Sequence, residues 1–505
     1  MFRLTIPDLA GGRVLMRESA ILKPFGRTMN HGRSPRNMMK KCVSLLVPAW
    51  LACTAAPALA ANLKDIFRAA RLHDMGYRQA GASYREARTI GPEARSAFLP
   101  HISAQANTSY NDLTSRILGG ASGGFVFPSG HFTFNANGYG ISVTETLLNI
   151  RALYAWRAAG ATMRAARQRY ALAQSNLVLT VSAQYFGFLL AQDDLRLRRA
   201  EERALRAEYQ SALRSFHLGR APITDANEAR ARYEAVHAAV LAARNAVRLA
   251  RARIERMTGQ PAHHLWPLNL HHPLPHPRAS ALTTDEAQAL RDNLVLQAAR
   301  SEAHAASESA RAASAARYPT ITAQAGYSYS RAGNGEFGFG TVLRDKTIGL
   351  DVTLPIYQGG ELSAESARAS AAAFHAHVAA LRVERRVQFD VRQAFLNVRN
   401  GYHEIAALAA AKKAARVALA SERLGMRVGV RNNVDVLRAE QAYYRTRRDF
   451  ARAIYDYLLG RLELKAAVSH LTVGDIGRLN ALLQPPDAVG APSNGRRPPR
   501  RALRP

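Results

Sequence analysis

Thiols are almost missing from this chain. Its 505 residues include two cysteines, Cys42 and Cys53, both in a stretch that reads as a leader removed on export. The rest can hold no disulfide and no cysteine-based metal site. Acids are scarce too: 38 Asp and Glu stand against 69 Lys and Arg, a formal charge of +31. A surplus of this size raises nucleic acid as a partner. The arginines, however, are spread along helix-forming stretches that also carry Glu and Gln, and they do not gather with aromatics into a platform. No long apolar run follows the leader, so no segment reads as a spanning helix. No Ser/His/Asp set and no paired carboxylates have a recognisable spacing, which argues against an enzyme.

The leader is explicit. Lys40 and Lys41 precede an apolar core over 42–55, and Ala58-Leu59-Ala60 is a small-x-small cleavage site. This predicts a secretory signal peptide with maturation before Ala61. Residues 1–37 are an unusual lead for such a peptide, which makes Met38 or Met39 a candidate start beside Met1. Trp50-Leu51-Ala52-Cys53 is a poor lipoprotein site, because an aromatic stands where a small aliphatic residue belongs.

What is present is a duplication. In Val352-Thr353-Leu354-Pro355-Ile356-Tyr357-Gln358-Gly359-Gly360 an alternating strand meets a long helix-forming run, with Pro355, Gly359 and Gly360 at the junction. The run over 363–424 has no Pro and only Gly401 as glycine; Ala, Arg, Glu, Gln and Leu favour helix. Proline tolerates a strand end or a first helical turn but neither interior, so the helix is expected from Pro355. The same junction recurs over 141–149. Pro100-His101-Ile102 answers Pro319-Thr320-Ile321, Val181 and Tyr185 answer Val391 and Phe395, and Asp225 answers Asp435. Repeats outrank other signals for architecture.

Clean alternation predicts strands over 102–110 and 321–329, with return strands over 132–143 and 346–354. Between them lie loops at 111–131 and 331–344. The Gly-rich 119–124 lacks the following Lys-Ser/Thr and the helix of a phosphate loop, and reads as a hairpin tip. Single helices are expected over 62–97 and 284–316, and long ones over 150–216 and 363–424. The Gly219-Arg220-Ala221-Pro222 break precedes a helix capped by Thr224 or Asp225. Gly425 and Gly429 mark the second break, followed by a helix over 434–467. His263, His264, His271, His272 and His276 sit in a Pro-rich connection without acidic partners and do not predict a metal site.

Strands with one apolar face fit an outer-membrane barrel. Four strands cannot close one, and an open edge cannot persist in lipid. Copies must therefore share a barrel. Two would give eight strands, nearly filled by side chains; three would give twelve, with a lumen. A secreted coiled-coil adhesin is the rival reading. It would need sustained heptads, and it leaves the four placed strands without explanation.

In order and spacing the chain resembles the TolC family of outer-membrane efflux and type I secretion channels. The residues that carry this are the Leu99-Pro100 strand entry, the 354–360 junction, Ala183-Gln184-Tyr185-Phe186, Ile223-Thr224-Asp225, the 429–437 stretch, and the run from Leu464-Lys465-Ala466-Ala467 to Leu479-Asn480. The resemblance implies an α+β membrane protein. Its homotrimer forms a 12-stranded barrel that continues into a periplasmic α-helical tunnel, in contact with outer-membrane lipid. It further implies a periplasmic adaptor (membrane fusion) protein and an inner-membrane RND, MFS or ABC transporter as partners, with no cofactor and no nucleic acid. On this reading 1–60 is extension and signal peptide and 61–100 an N-terminal periplasmic helix. Then come the first hairpin at 101–143, helical-barrel segment 144–258, connection 259–283 and helix 284–317. The second hairpin is 318–354, the second helical segment 355–470, and 471–505 a C-terminal segment with a disordered tail.

The family closes its tunnel at the periplasmic end, and the resemblance carries several gate positions over. Asp435 matches the first acidic ring. Arg431 matches the arginine that ties neighbouring helices, with Thr224 and Asp225 as its partners. The second acidic ring falls on Arg438, and the gate tyrosine on Met426. A further link falls on Glu208 and Arg423, here an opposite-charge pair.

Overall fold

The computed structural model describes residues 61–116, 130–262, 264–269, 273–277, 281–333 and 339–485. The expected signal peptide with both cysteines, the 119–124 glycines, three of the connection histidines (His263, His271, His272) and the tail from 486 lie outside the described residues.

Four strands form one antiparallel sheet in the order β1-β2-β3-β4: β1 (His101–Ser115), β2 (Gly130–Leu148), β3 (Thr320–Ala332) and β4 (Thr341–Thr353). All four are longer than expected, although β4 ends at Thr353, one residue short of its expected end. Backbone pairing continues after apolar alternation stops, as in Asn111↔Phe134 and Thr114↔His131. Register sorts the side chains. Ile102, Val143, Ala325 and Ile348 line up on one face; Ser103, Ser142, Gly326 and Thr347 line up on the other. The apolar face is open: Ile348 is 92% exposed and Leu350 63%. The register slips between Thr146 and Leu148, where one extra residue of β2 is accommodated.

The two strand-to-helix junctions differ. In the first half only Asn149 separates β2 from α3 (Ile150–His217), its side chain accepting the Ala152 N–H at 2.9 Å. In the second half α7 (Glu361–Arg427) does not begin at Pro355. Residues 354–360 form a connection that ends in Gly359 and Gly360, both at positive φ (60° and 89°). A helix cannot pass through that conformation, so it starts at Glu361. The first hairpin likewise extends to Leu148 rather than 143.

The N-terminal helix is two helices, α1 (Leu63–His73) and α2 (Met75–Ser96). Asp74 adopts ψ 119°, closes α1 by donating its N–H to Ala70 O, and caps α2 by accepting the Tyr77 N–H at 2.7 Å. Asn293 does the same between α5 (Leu282–Asp292) and α6 (Leu294–Ala315). It also has ψ 119° and accepts the Val295 and Leu296 N–H groups. The spacing between these two breaks equals that between Pro100 and Pro319, so the repeat held the signal. A polar residue free to cap its own successor leaves the helix.

At 68 and 67 residues, α3 and α7 each run about 100 Å. Each folds back on a partner, α4 (Ile223–Thr258) and α8 (Asn433–Ala467). Small residues permit close packing: Ala158, Ala161 and Ala165 of α3 and Ala312, Ala313 and Ala315 of α6 are buried. The largest core lies midway along these helices. It joins Val181, Tyr185, Phe186 and Phe188 of α3, Ile254 of α4, Leu458 of α8, Leu63 of α1, and Ile476 of α9 (Val473–Asn480). Helix α9 was not anticipated as an element. Thr472 and Asp475 form its capping box, and Asp475 also takes Lys465 and Arg478. No described helix is long and apolar enough to cross a membrane.

Candidate functional site

The distal ends of the two helix pairs are built alike. At the first tip Leu218 caps α3 and Gly219 turns the chain at φ 66°; at the second Val428 caps α7 and Gly429 turns it at φ 79°. The incoming helices are capped differently. Asn432 Oδ1 accepts the Asp435 N–H at 2.9 Å. At the first tip the N-cap position is Pro222, which supplies no side-chain cap. The expected cap by Thr224 or Asp225 is thus corrected: both already lie in the first turn of α4, where the Asp225 N–H reaches Pro222 O.

The residues expected at a gate gather here. Thr224 is exposed and Asp225 half-buried; Met426 is half-buried in the last turn of α7. Asp435 is half-buried and Arg438, one turn further, is exposed. Within one chain Arg431 turns to Glu422 of its own tip (Nε–Oε2 3.3 Å). No ion pair joins Asp225 to Arg431, or Asp435 to Arg438, among the described residues.

Within one chain no ion pair joins Glu208 to Arg423 among the described residues. Arg423 instead bonds Glu440 of α8, which sequence reasoning missed. Glu440 is fully buried; its second oxygen, Oε2, has no partner, and Glu208 of α3 faces the same carboxylate. Burial pushes the Glu440 carboxyl above its ordinary value, Arg423 opposes this, and the Glu208 and Glu201 charges add to the rise. Arg423 of α7 therefore compensates the Glu440 carboxylate of α8, while the Glu208 charge of α3 works against it. The α3–α8 seam continues in the same polar style. Tyr444 Oη donates to Ala200 O at 3.3 Å, Arg448 bonds the buried Glu201 at 2.5 Å, and Tyr455 Oη donates to Asp193 Oδ2 at 2.9 Å. Burial raises the Asp193 carboxyl, against the pull of Arg196. Only an i,i+17 match across the hairpin, Arg423 to Glu440, could have flagged this in sequence. Single-sequence reading does not weigh such spacings, because the fold must first make them neighbours.

In the connection, His276 Nδ1 lies 2.8 Å from the Tyr402 hydroxyl, and the His264 carbonyl accepts the Ala61 N–H. No cluster of metal-ligating residues occurs among the described residues.

The family described as "Outer membrane efflux protein" matches residues 69–260 and 287–470. The chain is similar to the outer membrane protein TolC of Vibrio cholerae: 29% identical over 453 residues, 88% of this chain and 99% of that one. It is 25% identical over 449 residues to the alkaline protease secretion protein AprF of Pseudomonas aeruginosa, 87% of this chain and 90% of the relative. The Campylobacter jejuni CmeC outer membrane channel shares the fold, with TM-score 0.71 at 14% identity over 84% of this chain and 90% of that one.

Proposed function

Because the chain belongs to the outer membrane efflux protein family, we propose that three copies build one exit channel across the outer membrane, a duct for efflux or type I secretion. The observation that carries this is the sheet. It has four strands, two unpaired edges, an exposed apolar face and a polar one. Such edges are not tolerated in lipid, so the sheet closes only with other copies. Three copies make twelve strands with the polar rows inside, which leaves a lumen. The long helix pairs are too polar for the bilayer and extend into the periplasm. Their tips meet a periplasmic adaptor, which links the channel to an inner-membrane RND, MFS or ABC transporter.

Closure of the duct is assigned to the tips. Arg431 of one copy reaches Thr224 and Asp225 of its neighbour, while Asp435 and Arg438 ring the mouth. A charge pair between packed helices biases a two-state element. Outer-membrane fractionation, a heat-modifiable trimer on gels and small, mostly closed conductance in planar bilayers are expected. Arg431→Ser should raise that conductance. A stable monomer without conductance overturns the channel; an unchanged conductance in the variant removes the link.

A further inference from the structure

Toward the hairpin tips, the outward face of the sheet changes from aliphatic to aromatic and basic. Ile348, Leu350 and Val352 lie on that face nearer the helices. Two ladder steps above Ile348 the row reads Ala106–Tyr139–Tyr329–Arg344; the row between reads Ala104–Ile141–Tyr327–Lys346. Tyr139 stacks on Tyr329 with centroids 5.0 Å apart and leans on Tyr327 at 6.4 Å, and the Arg344 guanidinium lies 6.0 Å over the Tyr329 ring. Arg331 follows one step higher on the same face. Arg331, Arg344 and Lys346 are exposed, and none has an ion pair among the described residues. Asp345, between two of them, points to the other face by strand alternation. The nearest acids on the outward face are Asp112, which is held by His131 at 3.3 Å, and Glu145, three steps below the tyrosine row.

We propose that Arg331, Arg344 and Lys346 form a binding site for the phosphate groups of an anionic lipid in the outer leaflet, seated on the tyrosine ladder. The inference rests on the channel reading, which puts this face in the bilayer with the hairpin tips outward. Three observations select a lipid. The cations directly continue an aliphatic band, so one molecule can lay acyl chains on Ile348 and Leu350 and its headgroup on the basic rows. Tyrosines mark the level where the bilayer turns polar. The long basic side chains can rise along the rings to the headgroup plane. Neighbouring rows on a strand are about 6.6 Å apart, so the three charges can engage one doubly phosphorylated headgroup, and arginine can do so bidentately.

The test is native mass spectrometry of the purified trimer, mixed with a diphosphorylated glucosamine lipid, its monophosphorylated form or phosphatidylcholine. The diphosphorylated lipid should be retained most. At about fivefold per near-surface cation, Arg344→Gln should lower its retention about fivefold, and the triple glutamine variant about a hundredfold. Lys413→Gln, on an exposed helical position, should leave it unchanged. Inorganic phosphate should not displace the lipid. Equal retention of phosphatidylcholine, wild-type retention by the triple variant, or displacement by inorganic phosphate each overturn the site. All variants are first checked for the heat-modifiable trimer and for conductance. A conducting trimer without lipid preference sinks this inference alone, whereas a chain that forms no trimer sinks the channel reading as well.

Discussion

On the gate reading, Glu440 is the buried acid through which α8 holds the end of α7. Its carboxylate is fully buried and only Arg423 compensates it. Removing one partner of a buried pair leaves the other charge uncompensated, at a cost of about 3 kcal/mol or more. Arg423→Ala should therefore loosen the tip and raise single-channel conductance, whereas Glu440→Gln, neutral and still able to accept from Arg423, should stay closed. Burial raises the Glu440 carboxyl above its ordinary value of 4.5. The folded tip thus holds the proton more tightly than the free chain. Its contribution is complete below that value and is lost as pH rises through the raised one. Amide-exchange protection over 423–440, corrected for intrinsic rates, should fall with rising pH in that window. The slope should vanish in Glu440→Gln; an equal slope in both proteins would place the effect elsewhere. Asp475 shows the opposite sign. Its burial would raise the carboxyl, but Lys465, the Thr472 N–H and Arg478 hold it at about 2. Its stabilisation is present above the ordinary 3.8 and lost only as pH falls through about 2. Asp475→Asn should cost about 3 kcal/mol, read as faster amide exchange in α9 at neutral pH.

At the scale of elements, the sequence announced its repeat and hid its corners. The paired Pro100 and Pro319, the alternation around Ile102 and Ile321, and the glycines at 219 and 429 placed the strands, long helices and tips. Each of these reports a local constraint. The breaks at Asp74 and Asn293 were invisible to helical periodicity because the apolar spacing carries across them; capping, not a breaker residue, ends the helix there. Helix α9 is eight residues long and its box is closed by tertiary contact with Lys465, too little for a periodic signal. Of the candidate site, the tip residues were legible from the resemblance, while Glu440 was not, since its importance comes from a neighbour on another helix. The glycines give a clean test. Gly429 has φ 79° and no atom within 4 Å of an added Cβ, so Gly429→Ala should cost only the left-handed strain of about 1 kcal/mol. A larger loss of tip order, measured by proteolysis between α7 and α8, would reveal a contact from another copy. Asn293→Ala removes a cap accepting two N–H groups and should cost about 1 kcal/mol, read as a lowered midpoint in thermal unfolding.

For the whole molecule, the channel reading makes charge at the mouth the determinant of which ions pass. Asp435 and Arg438 lie three apart on α8, a spacing that puts side chains on one face. Where the family has two acidic rings, three copies of this chain would set three carboxylates beside three guanidiniums. Acidic rings favour cations, so the wild-type channel should be weakly cation-selective and poorly blocked by a trivalent cation. Arg438→Asp should strengthen both, read as reversal potentials in a salt gradient. Strong selectivity in the wild type, unchanged by the substitution, would mean that Arg438 points away from the lumen.

The two tips have a consequence for anything that docks on them. One turns through Gly219-Arg220-Ala221-Pro222 and the other through Gly429-Val430-Arg431-Asn432, on the same backbone path. In the proposed trimer the two tips would alternate around the threefold axis, giving a mouth sixfold in shape and threefold in chemistry. A ring of six identical partner subunits would find its seats occurring in two kinds, every second one equivalent. Its members would have to bind in two modes, while a ring of three could settle on one kind and leave the other bare.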